Sequence, residues 1–301
     1  MLKPLDDVSR VISLIAEVAE TPPDAVRKKL LDEATEIGSN VYAGMIDGQI
    51  PMYKTSPALD EFYKESDAFL YETTVWNTCS AKQNMRDFVS SRMAKYGKTE
   101  ADVFCFGDGL GFDSTFLASQ GHRVRYFEPS LRCQDYAKAV FAANDVNVTT
   151  LNGLDDIEPA SLDAVVCLDV LEHVPQPHEL ISLFSTWMKP DGLLFVHAPF
   201  WCLHWTRSTH LKENQTYSGD LKRMYAANNF RALDSSVFWD PILLQKTDAA
   251  FAGSMGASMR IRLGQFLLTL GRWDGSVHTW IARQIARPPK HWVAALKEAR
   301  V

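Results

Sequence analysis

Cysteine is scarce and cannot be paired off: the chain has five, Cys79, Cys105, Cys133, Cys167 and Cys202, far apart and odd in number. That excludes a disulfide framework or a cysteine-built zinc module, and three of the five lie in strand-like apolar runs. They read as reduced, buried thiols, which points to a cytoplasmic setting. No stretch reaches the roughly 18 uninterrupted apolar residues of a membrane span. The opening "MLKPLDDVSRVISLIAEVAE" carries acids and lacks the basic flank and long apolar block of a signal peptide. Internal repeats and low-complexity tracts are also missing. Hydrophobic residues make up 46% of the 301, enough to bury a sizeable core. The net charge of −6 hides an asymmetry, because residues 249–301 sum to +6 and the preceding 248 to −12. Nucleic acid is therefore not an expected partner of the acidic body, whereas the basic tail could meet an anion.

Three regions follow from the change in pattern along the chain: residues 1–97, 98–248 and 249–301. The first lacks strand-like alternation. Val8, Val11, Ile12, Ile15 and Val18 recur at helical spacing, a second helix opens at Thr21-Pro-Pro-Asp and runs through "AVRKKLLDEATEIGSNV", and a third covers "AKQNMRDFVSSRMAKYG". A turn-rich piece, "GMIDGQIPMYKTSPALD", and an aromatic stretch, "EFYKESDAFLYETTVWN", lie between them. The expectation is a helical N-terminal cap. From Ala101 short apolar runs alternate with helices: "DVFCFG", "RVRYFEP", "VNVTTLN", "LDAVVCLDV" and "DGLLFVHAP", then two edge candidates, "FRALDSSVFW" and "PILLQKT", preceded by the helix "SGDLKRMYAANN". The fold class expected is α/β, a Rossmann-like seven-stranded, mostly parallel sheet with helices on both faces. The tail returns to helix. Its basic amphipathic stretch would lie on an anionic surface, pack on the acidic body, or form a homodimer contact.

The first strand leads into Gly107-Asp-Gly109-Leu-Gly111, and Glu128 ends the second strand 21 positions after Gly107. In an open α/β sheet ligands bind beyond the carboxyl ends of the strands, and glycine there lets the backbone approach closely. A dinucleotide fingerprint of form GxGxxG needs a third glycine at position 112, which is Phe112. The spacing is GxGxG, and Glu128 is placed to accept two hydrogen bonds from ribose hydroxyls.

"VFCFGDGLG", "YFEP", "LDAVVCLDVLEHVPQPHELI" and "WMKPDGLLFVHAP" stand in the order and at about the intervals of the class I S-adenosylmethionine-dependent methyltransferases, and residues 101–248 resemble that family. The "LEHV" segment is the most diagnostic. The resemblance implies S-adenosyl-L-methionine as cofactor, with Gly107, Asp108 and Gly109 against its methionine part, Gly111 in the same turn, Glu128 on the ribose, and Pro129 flanking the adenine. Asn152, or else Asp155, matches the residue near the adenine amine, and Asp169 the end of the fourth strand near the methyl-transfer position. Cys105 departs from the pattern, standing where an acid is usual, and Asp108 is the residue that would compensate.

Methyl transfer needs a positioned nucleophile and, for a hydroxyl acceptor, a base. Histidine titrates near neutrality, and "HAPFWCLHWTRSTHLKENQTY" holds His197, His204 and His210 among Phe200, Trp201, Trp205 and Tyr217, in the loop where the resemblance places the acceptor. His197, His204 and His173 are the catalytic candidates. Tyr71, Trp76, Phe200, Trp201 and His210 are the candidates for substrate contact. For each, packing within an aromatic loop or the cap's own core is the competing role. The histidine spacings are irregular and no metal set is expected. The reading is methyl transfer to a small-molecule substrate, with the acceptor atom left open between O, N and C. A non-catalytic S-adenosylmethionine-binding protein stays open because of Cys105 and the unassigned ends. A nicotinamide-dependent dehydrogenase is disfavoured by Phe112 and "LEHV".

Overall fold

The computed structural model describes residues 1–236, 241–247, 259–271 and 276–299. Its first part is helical throughout: α1 (Val8–Val18), α2 (Pro23–Thr35), α3 (Ser39–Asp47), α4 (Pro57–Glu65), α5 (Ala68–Thr78) and α6 (Ser80–Lys95). This corrects the sequence reading at one place and completes it at another. The second helix does not run on to Val41, because the buried Glu33 carboxylate accepts the backbone N–H groups of Gly38 at 2.6 Å and Asn40 at 2.7 Å and turns the chain. The aromatic stretch, left without an element in the sequence reading, forms two helices, α4 and α5, with Ser56 capping the first through the Leu59 N–H.

All seven strand candidates form strands: β1 (Asp102–Phe106), β2 (Arg123–Phe127), β3 (Val148–Thr150), β4 (Leu162–Leu168), β5 (Met188–His197), β6 (Phe230–Ser235) and β7 (Ile242–Lys246). Between them lie α7 (Phe112–Ala118), α8 (Leu131–Ala143), α9 (Pro177–Trp187) and the single turn α10 (Leu221–Met224), which is much shorter than the helix expected there. The sheet order is β3-β2-β1-β4-β5-β7-β6. The first five strands are parallel neighbours, and β7 runs antiparallel between β5 and β6. The chain moves outward from β1 to β3 and returns through β4 on the other side of β1. The crevice at the carboxyl ends of β1 and β4 is therefore the switch point where such sheets bind ligands.

Tail helices α11 (Met259–Gly271), α12 (Ser276–Ile285) and α13 (Lys290–Glu298) follow; the expected boundary at residue 248 lies outside the described residues. Trp292 and Leu296 of α13 are buried with Leu5, Val11, Ile12, Val26 and Leu30, and the same apolar cluster takes in Phe112 and Tyr136 from the sheet's own helices. Trp292 Nε1 donates to the Leu5 carbonyl at 3.2 Å. Arg283 of α12 pairs with Glu36 at 2.5 Å, so the basic tail meets the acidic body directly. Replacing Trp292 by Phe keeps most of the volume but leaves the Leu5 carbonyl without its donor, so a urea titration should show a loss of about 1–2 kcal/mol. An unchanged midpoint would mean that the Trp292–Leu5 hydrogen bond adds nothing to the fold.

Candidate functional site

Gly107, Gly109 and Gly111 all adopt positive φ, at 68°, 55° and 75°. At Gly109 a side chain would be strained and its Cβ would lie 3.1 Å from Thr73 of α5, so the turn passes close beneath the cap. Glu128 fastens the turn from the side. Its Oε2 accepts the Gly109 N–H at 2.9 Å and its Oε1 the Ser130 N–H at 3.0 Å. Burial pushes Glu128 up to about 7, against these two hydrogen bonds, which pull it down.

The carboxyl ends of β4 and β5 carry the second half of the site. Leu168 pairs with His197 in register, and the Asp169 N–H then donates to the His197 carbonyl at 2.8 Å, which brings the two side chains together. Asp169 Oδ1 lies 2.6 Å from His197 Nδ1, while Oδ2 accepts Trp76 Nε1 at 2.9 Å and Lys82 Nζ at 3.2 Å. Burial alone would raise Asp169; the Lys82 charge and then His197 overcome it and hold the carboxyl far below its usual range. Lys82 also pairs with Asp113 at 3.0 Å, and Arg86, one helical turn on, reaches Asp113 at 2.7 Å and Asn77 as well. Burial favours the neutral forms of Lys82 and Asp113, but their mutual attraction wins, so Lys82 is raised and Asp113 lowered.

Of the expected residues, the structure brings Gly107, Gly109, Glu128, Asp169, His197 and Trp76 to this one end of the sheet. Asp108 lies in the same turn, and its carboxylate accepts the Asp113 and Ser114 N–H groups at 3.0 and 2.7 Å. Gly111, the N-cap of α7, has no side chain to do this. Asp108 therefore caps a helix through both of its carboxylate oxygens. Burial, then Asp113, pushes it up to about 7. Cys105 is 1% exposed in the sheet core, and burial raises its thiol well above normal. Tyr71 is a correction: it is fully buried, donates to Asp67 at 3.1 Å beneath the Lys29 ammonium, and belongs to the cap's core. Phe200 is packed in the core beside Tyr217, and Trp201 lies 5.1 Å from the His278 ring. His204 bonds Thr206 at 2.9 Å within its own turn. Pro129, Asn152 and Asp155 are exposed at the strand ends.

His210 joins a different group, with His173 and Glu172. The loop after β5 is fastened to the "LEHV" turn by the Leu211 N–H on the Glu172 carbonyl at 2.9 Å, and by Asn214 Nδ2 on the Val174 carbonyl at 2.9 Å. Arg207 ties the same loop to the cap through the Ile37 carbonyl at 2.8 Å and Glu72 at 3.3 Å. Burial pushes Glu72 up to about 7 and brings His173 down to about 4, and it holds His210 well below its usual value.

A family model described as a methyltransferase domain matches residues 80–233, just over half the chain. The chain belongs to the methyltransferase-domain family. Two relatives are each named ubiquinone biosynthesis O-methyltransferase. The one from Xylella fastidiosa is 31% identical over 114 residues, covering 36% of this chain and 45% of that protein. The one from Ralstonia nicotianae is 33% identical over 113 residues, covering 36% and 46%. The chain thus spans about half the length of the curated relatives it matches. The solved 1,6-didemethyltoxoflavin-N1-methyltransferase of Burkholderia thailandensis is 16% identical, covers 58% of this chain and 81% of that one, and superposes with a TM-score of 0.42.

S-adenosyl-L-methionine is the cofactor of the family, and the ribose side of this methyltransferase-domain chain fits it. A carboxylate offers about four lone-pair positions; backbone amides take two of Glu128's. The others suit the two hydroxyls of a ribose. On the methionine side the donor set is unlike the expected one: Asp108 caps α7, and Lys82, buried with Asp113, pairs with the half-buried Asp169. Lys82, Arg86 and Asp113 were missed by sequence reasoning, though Lys82 and Arg86 at i, i+4 beside apolar Met85, Phe88 and Val89 were the available signal.

Proposed function

We propose that the chain methylates a hydroxyl group of a small molecule with S-adenosyl-L-methionine, His197 serving as general base. The supporting observation is the His197–Asp169 pair at the carboxyl ends of β4 and β5, beside the glycine turn. S-adenosylmethionine, when bound, supplies an electrophilic methyl on a sulfonium. Glu128 would hold its ribose, and the Gly107–Gly111 backbone would lie along it. Asp169, kept ionised by Lys82 and Trp76 on one oxygen, receives the Nδ1–H of His197 on the other. That fixes the tautomer in which Nε2 is the proton-accepting nitrogen and steadies the imidazolium formed when it takes the acceptor's proton. Removing that proton makes the oxygen a far stronger nucleophile. The relatives' O-methyltransferase names agree with a hydroxyl acceptor. Trp76, which bonds Asp169 from the cap, is the residue that would carry substrate contact from residues 1–97 into the site. That makes the cap a lid over the core of residues 98–248.

The test is turnover of labelled S-adenosylmethionine against a panel of phenols, matched thiols and matched amines. The expected result is label in the phenol ethers alone. Cofactor binding without label in any product would leave the non-catalytic reading standing. Label on nitrogen only would overturn the hydroxyl assignment.

A further inference from the structure

Glu172, His173 and His210 converge although 37 positions separate the two histidines. Their ligand-competent atoms all lie within 4.8 Å of one another, Glu172 is 1% exposed and His210 3%. The His210 ring is held by a hydrogen bond with the Cys202 backbone, yet its Nδ1 is buried with no partner. An imidazole nitrogen kept dry without a partner is expensive, and the great majority of buried polar atoms have one. The His173 and His210 rings meet edge to face at 4.7 Å, so one nitrogen of each can address a common point. His173 is oriented for this from behind. Its Nδ1 is 2.9 Å from the Tyr63 hydroxyl, the ring also bonds the Thr209 backbone, and Nε2 lies 3.8 Å from Glu172 Oε1. A ligating histidine held through its other nitrogen is the usual arrangement around a metal.

We propose that Glu172, His173 and His210 form a binding site for a divalent transition-metal cation of the zinc type. Two imidazole nitrogens and one carboxylate oxygen are the donor set that such ions take, and three protein ligands leave a coordination position for water or an acceptor oxygen. Bonds of about 2.0–2.1 Å put tetrahedral ligand atoms about 3.4 Å apart. The three atoms must then draw in by about 1 Å. The loop carrying His210 is fastened to the Glu172–His173 turn by the Leu211 N–H and by Asn214, so the ligands cannot drift apart while they adjust. The site does not depend on the methyl-transfer reading, since binding is a property of these residues alone.

The experiment is equilibrium dialysis of chelator-stripped full-length protein against zinc alone, with cobalt substitution as the spectroscopic probe. One zinc per chain and the visible absorption of a four- or five-coordinate cobalt centre are expected, together with a rise in melting temperature on adding zinc. His210→Gln, His173→Gln and Glu172→Gln should each weaken binding by at least about tenfold. Loss of the cobalt absorption in a His210→Gln protein that keeps the parent's far-ultraviolet circular dichroism separates a ligand role from a structural one. No stoichiometric uptake, or uptake unchanged in all three variants, overturns the site.

Discussion

Replacing His197 by Gln is expected to lower kcat by about 10²–10⁴-fold, the usual contribution of a positioned general base. Binding of S-adenosylhomocysteine should stay within about twofold of the parent. Glutamine reaches Asp169 with an amide N–H much as the imidazole does, so the carboxylate that Trp76 and Lys82 also address keeps its three donors. What disappears is a nitrogen able to accept a proton. Asp169→Asn tests the other half of the pair. It should cost activity through the wrong imidazole tautomer and also destabilise the chain, since Lys82 would lose one of its two buried carboxylates. Single-turnover measurements read the chemistry directly. A drop smaller than about tenfold for His197→Gln would remove the base from the mechanism and leave positioning as the whole of the catalysis.

The parts legible in the sequence were those set by local pattern. Seven candidate runs became seven strands, and β1 and β4 at the centre read as near-continuous apolar residues because both faces of the parallel sheet are covered there. The glycine turn, Glu128 and Asp169 were placed by their position at strand ends. The unread parts depend on contacts between distant elements. Asp108 sits in the glycine turn whether it faces a ligand or caps α7; only the lack of a capping side chain at Gly111 separates the two. Lys82 and Arg86 look like solvent-facing charges on α6 until α7 brings Asp113 against them. Helices α3 and α4 were hidden by Gly44, Gly48, Pro51 and Pro57, which break a periodic pattern without preventing short helices on either side of a turn. His210 drew attention as one of three loop histidines, but its partners proved to be Glu172 and His173, set by the register of β4 against β5 and the clamp of Asn214.

Glu128 should give cofactor binding a pH dependence that the substitution Glu128→Gln abolishes. Its folded value of about 7 lies above the ordinary 4.5, so the folded chain holds this proton more tightly than the unfolded one. The resulting stability is fully present below about 4.5 and is lost as pH rises through about 7, a loss on the order of 3 kcal/mol for the ligand-free protein. Ribose hydroxyls donate to the ionised carboxylate, so binding runs in the opposite sense and draws the proton off. Affinity for S-adenosylhomocysteine should therefore improve by about tenfold from pH 6 to pH 8, following the ionised fraction, and level off above that. In Glu128→Gln the same titration should lack that component, and at pH 8 binding should be weaker by about 10- to 100-fold, the worth of hydrogen bonds to a charged group. Comparing the two slopes by calorimetry removes whatever titration the ligand itself contributes. Equal slopes in parent and variant would show that Glu128 serves only to fasten the Gly109 and Ser130 amides, and the ribose contact would have to be sought elsewhere in the crevice.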